Sequence, residues 1–378
     1  MSPHFYPFTF YYKGKCASRI DGKYHSLIAK CEQYFTNLSQ YSFIMDLLVK
    51  GGGVVRRVCL FLLILGLYLV YGCEKAAFPA VPKRPQILVS VNVKGESVAF
   101  FDAKTGATLA EWKVKKPIQG AALLRDQRTL LLYGNELDRV YLYDIHTGKE
   151  AQEWRTGKGI VRALVSNKGD VVFLADEQQN MIRIFKENGQ EAGKIAVGDK
   201  PLTLLQNDAG TLLYVIDFRN MKAYIVQVDK RRVIRTFSVP KFAVSGLLRE
   251  KEGELWIGGH GSGSTVETNI HIYSARTGAF VKTVKAPVMP VDFAETKGGI
   301  YVLSHGSSTL WKWNDSGELE SSVIAGANPF AMIAENGRLY IASYDSDEIY
   351  VVDERTMKVV DRWKTGKGPF QLLMAKGG

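Results

Sequence analysis

Seven apolar segments of one shape, each ending on a polar residue, predict an all-β fold: a seven-bladed β-propeller of four-stranded blades. The segments are 87–92, 130–135, 171–176, 212–217, 255–260, 300–305 and 339–344, and their starts lie 43, 41, 41, 43, 45 and 39 residues apart. A period near 40 with about four short strands per unit is the pattern of a propeller blade. Two further observations agree with it. Each unit continues through the same succession of strands and turns. The phase of the repeat also leaves one innermost strand at the C-terminus, where it can complete the first blade and close the ring.

Within each unit the opening strand leads into a polar loop. A second strand of alternating pattern follows, as at 98–102 and 140–144. A tight turn comes next: Lys104-Thr105-Gly106, His146-Thr147-Gly148, Asn188-Gly189, Arg276-Thr277-Gly278 and Ser316-Gly317. Asp or Asn ahead of such a turn accepts its backbone donors, and Gly supplies the positive φ. A third strand carries Trp112, Trp154 and Trp363 in matching places. A loop and a short apolar strand end the unit, the last of them at 370–373. Joined to 87–92, that strand leaves no open sheet edge.

The first 73 residues are different. Arg56 and Arg57 precede the apolar run 58–70, which is shorter than the roughly 20 residues of a membrane span and fits the core of a signal peptide. The run ends in Val70-Tyr71-Gly72-Cys73, which resembles a bacterial lipobox. On this reading 54–73 is a lipoprotein signal peptide and Cys73 the lipid-attachment site. Residues 74–85 are a Pro/Ala tether and 86–378 the propeller. Residues 1–53 follow no period and are expected to be an untranslated or disordered leader, with Val54 or Val55 as the start. All four cysteines lie at or before Cys73, so the propeller has neither a disulfide framework nor a thiolate zinc site. The whole chain carries +11. Residues 1–72 hold eight Lys/Arg and three Asp/Glu, so a chain starting at Cys73 carries +6. That modest charge suits an acidic envelope surface and gives no reason to expect nucleic acid.

The units resemble the YVTN-type β-propeller repeat. The likeness rests on the strand ending in Asp, the TG-type turn, and a G-x-x-P step into the next strand. That step is seen in Gly198-Asp199-Lys200-Pro201, Gly326-Ala327-Asn328-Pro329 and Gly366-Lys367-Gly368-Pro369. The resemblance covers about 290 residues and implies the fold. It does not imply an activity, because propellers host many.

Aligning the units exposes one candidate site. The sixth residue of each opening strand is Asn92, Asn135, Asp176, Asp217, His260, His305 or Tyr344, which predicts a polar ring at the mouth of the central channel. The plain alternative is that these side chains cap their own loops. Asp176, Asp217, His260 and His305 are the residues that could hold a divalent ion such as Zn²⁺ or Mn²⁺; no other cofactor is expected. Lys115, Lys116, Lys158, Lys200, Lys241 and Lys367 stand in the loops leading to the innermost strands. There they would either solubilise that face or attract an anionic glycan or polymer. The long fifth-blade loop, 260–269, is a further candidate binding element.

No G-x-S-x-G elbow, HExxH pair or phosphate loop is present. The expected function is therefore a membrane-tethered, extracytoplasmic, monomeric lipoprotein that binds or scaffolds an envelope protein or polymer. The alternatives are a lactonase-like or quinoprotein-like enzyme with its site at the channel mouth, and a structural envelope protein.

Overall fold

The computed structural model describes residues 77–286, 288–314 and 317–377. The leader, the signal peptide and Cys73 lie outside them. Among the described residues, twenty-eight strands form seven antiparallel four-stranded sheets. Blade 1 takes Pro369–Lys376 as its innermost strand, followed by Gln86–Asn92, Ser97–Asp102 and Thr108–Lys113. Blades 2 to 7 span 120–155, 160–196, 201–238, 243–285, 290–324 and 329–364. The closure expected from the phase of the repeat is present: Ile87 pairs with Ala375 and Val89 with Leu373.

The core is divided among the blade interfaces. Seven apolar clusters each join two neighbouring blades; one unites Leu131 and Trp154 with Val172 and Phe185, and another unites Leu88 and Phe101 with Tyr340 and Trp363. The opening strands are buried on both faces because each is sandwiched between its neighbours. They therefore read as continuous apolar runs, as in 300–304.

The turn glycines have a packing reason beyond their backbone angle. In three interfaces an outer-strand aromatic packs under the turn of the next blade. A methyl group at Gly106 (φ +75°) would lie 2.3 Å from Trp363 Nε1, and one at Gly189 (φ +83°) 2.5 Å from Trp154 Cδ1. At Gly278 (φ +74°) the clash would be with Phe237 Cδ1 at 2.3 Å. So the repeated Trp and the repeated Gly form one device that fixes the angle between neighbouring blades.

At Gly148 the seat is filled from the N-terminal side. The Phe78 ring stacks on Trp112 at 4.9 Å, and its amide donates to the Gly148 carbonyl at 2.9 Å. Val81 N–H donates to Ile145 O at 2.8 Å, and Trp112 Nε1–H to Pro79 O at 2.8 Å. Residues 78–81 of the expected tether are thus docked in the seam between blades 1 and 2, at the end of the ring where Gln86 enters its strand. The ends of the opening strands lie at the other face, about 20 Å away for a six-residue strand.

Candidate functional site

Every innermost strand but that of blade 2 carries a β-bulge at its second residue. The register skips Phe370, Val161, Leu202, Val244, Val291 and Phe330. A bulge turns the local twist and re-aims the side chains around it. The residue after each bulge is Gln371, Arg162, Thr203, Ser245, Asp292 or Ala331, and all but Ala331 are polar. All five polar ones reach the next blade, Arg162 through Nε–H to Leu202 O at 3.4 Å. Gln371 holds both the amide and the carbonyl of Ala121 (2.8 and 3.1 Å), and Thr203 Oγ1 donates to Val244 O at 2.6 Å. Ser245 Oγ donates to Asp292 Oδ1 at 3.4 Å, and Asp292 Oδ2 accepts from Met332 N–H at 2.7 Å. This belt staples successive innermost strands around a channel of about 640 Å³ that it lines.

Burial pushes the Asp292 carboxyl up to about 6; the Met332 and Phe293 amides and the Arg162 charge hold it back from rising further. A carboxyl whose folded pKa lies above its unfolded value adds most stability below the unfolded value, and loses it as pH rises through the folded one. Asp292→Asn stays neutral throughout. Unfolding measured from pH 4 to pH 7 is therefore expected to improve for the variant relative to the parent by about 1–2 kcal/mol. A difference that does not change with pH would contradict this assignment.

The predicted polar ring divides in two. Asn92, Asp176 and Asp217 are fully buried and do not face the mouth. Asp217 Oδ1 accepts the amides of Arg219 and Asn220 at 2.9 and 2.8 Å, and Asp176 Oδ1 accepts those of Gln178 and Gln179 at 3.1 and 2.8 Å. Arg183 meets Asp176 at 3.3 Å. Asn92 bonds Ser90, Ser97 and Thr365, and Asn135 bonds Gln119. The glycines of the G-x-x-P step make room for this: a methyl group at Gly198 would lie 2.0 Å from Asp217 Oδ2, and one at Gly366 2.6 Å from Asn92 Nδ2. Blades 1 to 4 thus use the position to lock their own loops. Asp176 and Asp217 are therefore spent in loop capping and do not join the histidines as metal ligands. Among the described residues no three His, Cys, Asp or Glu side chains gather around one point.

Blades 5, 6 and 7 depart from that pattern. The His260 and His305 rings lie 4.8 Å apart, and Phe330 packs edge-on against His305 at 4.9 Å. Phe330 also meets Tyr344 at 5.4 Å and Phe370 at 5.2 Å, and Lys94 Nζ sits 4.1 Å over the Tyr344 ring while pairing with Asp345 at 2.8 Å. Phe330 and Phe370 are half-buried. Burial, then the charge of His305, pushes His260 down to about 4; burial pushes His305 to about 4 against the pull of Asp345. Both imidazoles are neutral at physiological pH. They lie on the opposite side of the belt from the channel cavity, whose lining contains none of these rings.

The backbone there is strained. In five blades the residue just before the innermost strand has positive φ: Gly159, Phe242, Met289, Asn328 and Gly368. Gly and Asn adopt that region readily. Phe242 (+56°) and Met289 (+61°) do not, and Val288 (+47°) joins them; a β-branched residue in that region is an outlier that its surroundings must enforce. The two bulky exceptions flank the two histidines. Aligning the loops would have exposed them, as it would Phe330 and Phe370, which follow Pro where other blades place Val or Leu.

The lysines are less free than expected. Lys158 pairs with Glu136 at 3.3 Å and Lys200 with Glu177 at 2.8 Å, while Lys116 and Lys241 lie over the rings of Tyr141 and Phe242. Lys115 and Lys367 line a small hollow that also holds Glu96 and Glu111. The fifth-blade loop closes on itself: Gly261 bridges Val266, Ser262 N–H donates to Thr265 O, and Glu267 gathers the Asn269 amide and His271 Nε2.

No protein-family model and no curated protein matches the chain. Solved structures do. A functionally unknown protein from Desulfotomaculum acetoxidans DSM 771 superposes with a TM-score of 0.63 at 12% identity, covering 77% of this chain and 99% of that one. The dihydro-heme d1 dehydrogenase NirN in complex with DHE gives 0.61 at 12% identity, over 80% and 78%. The computationally designed protein Ika8 gives 0.59 at 12% identity, over 80% and 94%. Likeness at this level reaches both a dehydrogenase complex and a computational design, so it establishes the propeller fold alone.

Proposed function

We propose that this chain is a YVTN-type lipoprotein, anchored through Cys73 on the extracytoplasmic face of a bacterial membrane, whose propeller binds a ligand at the aromatic arc of blades 6, 7 and 1. The observation that supports it best is the unbroken set of ring contacts from His305 through Phe330 to Tyr344 and Phe370, of which His305, Phe330 and Phe370 are half-buried at the channel end. Rings left in that state offer large, rigid contact area at low entropic cost. The ligand presents an apolar ring or side-chain face. An envelope protein fits this better than a polyanion, because Lys158 and Lys200 already have acidic partners.

The docked strap supports the tethering geometry. Phe78 follows Cys73 by five Cα–Cα steps, which reach at most about 18 Å. A lipid on Cys73 would hold the propeller close to the bilayer, with the aromatic arc on the face opposite the one where Gln86 enters. The test is the thermal melt of the full chain in detergent against a panel of envelope-protein fragments, glycans, acidic polymers and cofactors. Saturating ligand raises stability by about 2.7 kcal/mol at a hundredfold excess over Kd. The shift is expected to vanish in Phe330→Ala, Phe370→Ala with the ligand-free melt still cooperative. A shift that survives this double variant would place the ligand elsewhere.

A further inference from the structure

We propose that His260, His305 and Met289 form a binding site for a single Cu(I) ion. The three side chains come from two blades, with His305 against both of the others: His260 follows the opening strand of blade 5, His305 that of blade 6, and Met289 immediately precedes the innermost strand of blade 6. His305 Nε2 lies 3.1 Å from Met289 Sδ, and the two imidazole centres are 4.8 Å apart. Donors at about 2.0 Å for nitrogen and 2.3 Å for sulfur stand roughly 3.5 Å from each other on a shared tetrahedral ion, and two imidazoles sharing one ion place their centres roughly 5 Å apart. The observed spacings are within small side-chain adjustments of both.

Three independent features suggest that these side chains are held for a ligand. His305 makes no strong hydrogen bond through its ring: Nδ1 is buried without a partner and Nε2 faces only the Met289 sulfur, so the protein's own polar groups do not hold the imidazole in place. The Met289 backbone is forced into its strained conformation by bonds to both neighbours: its amide donates to Glu267 O at 2.7 Å and its carbonyl accepts from the His305 amide at 3.1 Å. Gly306, beside His305, leaves the space that Val288 needs, since a methyl group there would lie 2.5 Å from Val288 Cγ1. A thioether filling space in a core needs none of this.

The donor set selects the metal. Thioether sulfur suits Cu(I) and is a poor ligand for Zn²⁺, Mn²⁺ or Mg²⁺, while imidazole serves copper well. All three donors are neutral and the site is largely buried, so a monovalent ion leaves less uncompensated charge than a divalent one. Phe330, packed edge-on against His305, supplies an apolar wall that shields such a centre.

The four cysteines, all at or before Cys73, would compete for Cu(I). Alkylating them leaves the proposed ligands untouched. The alkylated full chain is titrated with Cu(I), under reducing anaerobic conditions, against a chromophoric Cu(I) chelator. One equivalent is expected to bind, with X-ray absorption showing nitrogen and sulfur scatterers. Met289→Leu conserves volume and is expected to keep the melt while weakening Cu(I) at least tenfold and removing the sulfur shell; His260→Gln is expected to weaken it similarly. No Cu(I) held by the alkylated parent, equal affinity in Met289→Leu, or Zn²⁺ bound as well as Cu(I) would each overturn the proposal. Phe370→Ala alone leaves all three ligands and the Phe330 wall in place, so loss of ring-ligand binding and loss of copper are separable.

Discussion

A chain ending at Gly368 is expected to lose cooperative folding altogether. The missing strand, Pro369–Lys376, is the innermost strand of blade 1. Without it Leu372 leaves the cluster between blades 7 and 1, and Ala375 leaves the cluster between blades 1 and 2. The Gln371 clasp on Ala121 goes too. What remains is an open ring whose exposed edge, 86–92, is a largely apolar strand and a template for aggregation. Domain stability is only about 5–15 kcal/mol, and two of the seven interfaces would be damaged at once. Circular dichroism melts and size-exclusion chromatography of the truncated chain check this. A monodisperse protein melting near the parent would show that blade 1 closes without its C-terminal strand.

Trp112→Ala is expected to cost about 3–5 kcal/mol, the range for deleting a fully buried large aromatic. Trp112 has no exposed surface, contacts Phe100 at 4.6 Å and Tyr143 at 5.9 Å, and stacks on Phe78. Its Nε1–H is also the bond that holds Pro79. The variant should therefore do two things: lower the melting temperature, and release the strap, read as protease cleavage near Phe78 in a chain that is still folded. Phe78→Ala should release the strap with a smaller loss of stability. Destabilisation in Trp112→Ala with the strap still protected would mean that the remaining bonds, from Val81 to Ile145 and from His146 to Val81, are enough to hold it.

The blades, their order and their closure were readable from residue types because each rests on local chemistry. Apolar runs predict doubly buried strands, and Asp102 or Asp144 before a Thr-Gly predicts a capped turn. The turn glycine's second role was not readable, since the Trp363 that presses on Gly106 belongs to another blade and lies more than 250 residues away in sequence. The polar ring was seen at the right positions, but its fate depended on the facing loop. Where that loop offers glycine, as at Gly198, the Asp turns inward and is spent on amides. Where it carries Phe242 or Met289, the His stays at the mouth.

The bulges are not legible in the sequence because they are a matter of register between strands rather than of any residue type. With them went the belt of Gln371, Arg162, Thr203, Ser245 and Asp292. The pairing of the rim lysines was hidden for a similar reason. Glu136 and Glu177 belong to the loops after the opening strands of blades 2 and 3, and only the folded ring brings them against Lys158 and Lys200. The strap showed no periodicity at all, and a lone Phe among Pro and Ala gives no sign that it docks.

The central claim is that ligand is taken at the aromatic arc on the face opposite the strap. Hydrogen–deuterium exchange on the full chain, with and without the compound that shifts the melt most, addresses it directly. The account predicts added protection in the segments around 288–291, 305–308, 328–332, 343–347 and 369–371, and none in the outermost strands. Protection confined to the outer strands, or to the turns at the strap end of the ring, would contradict it.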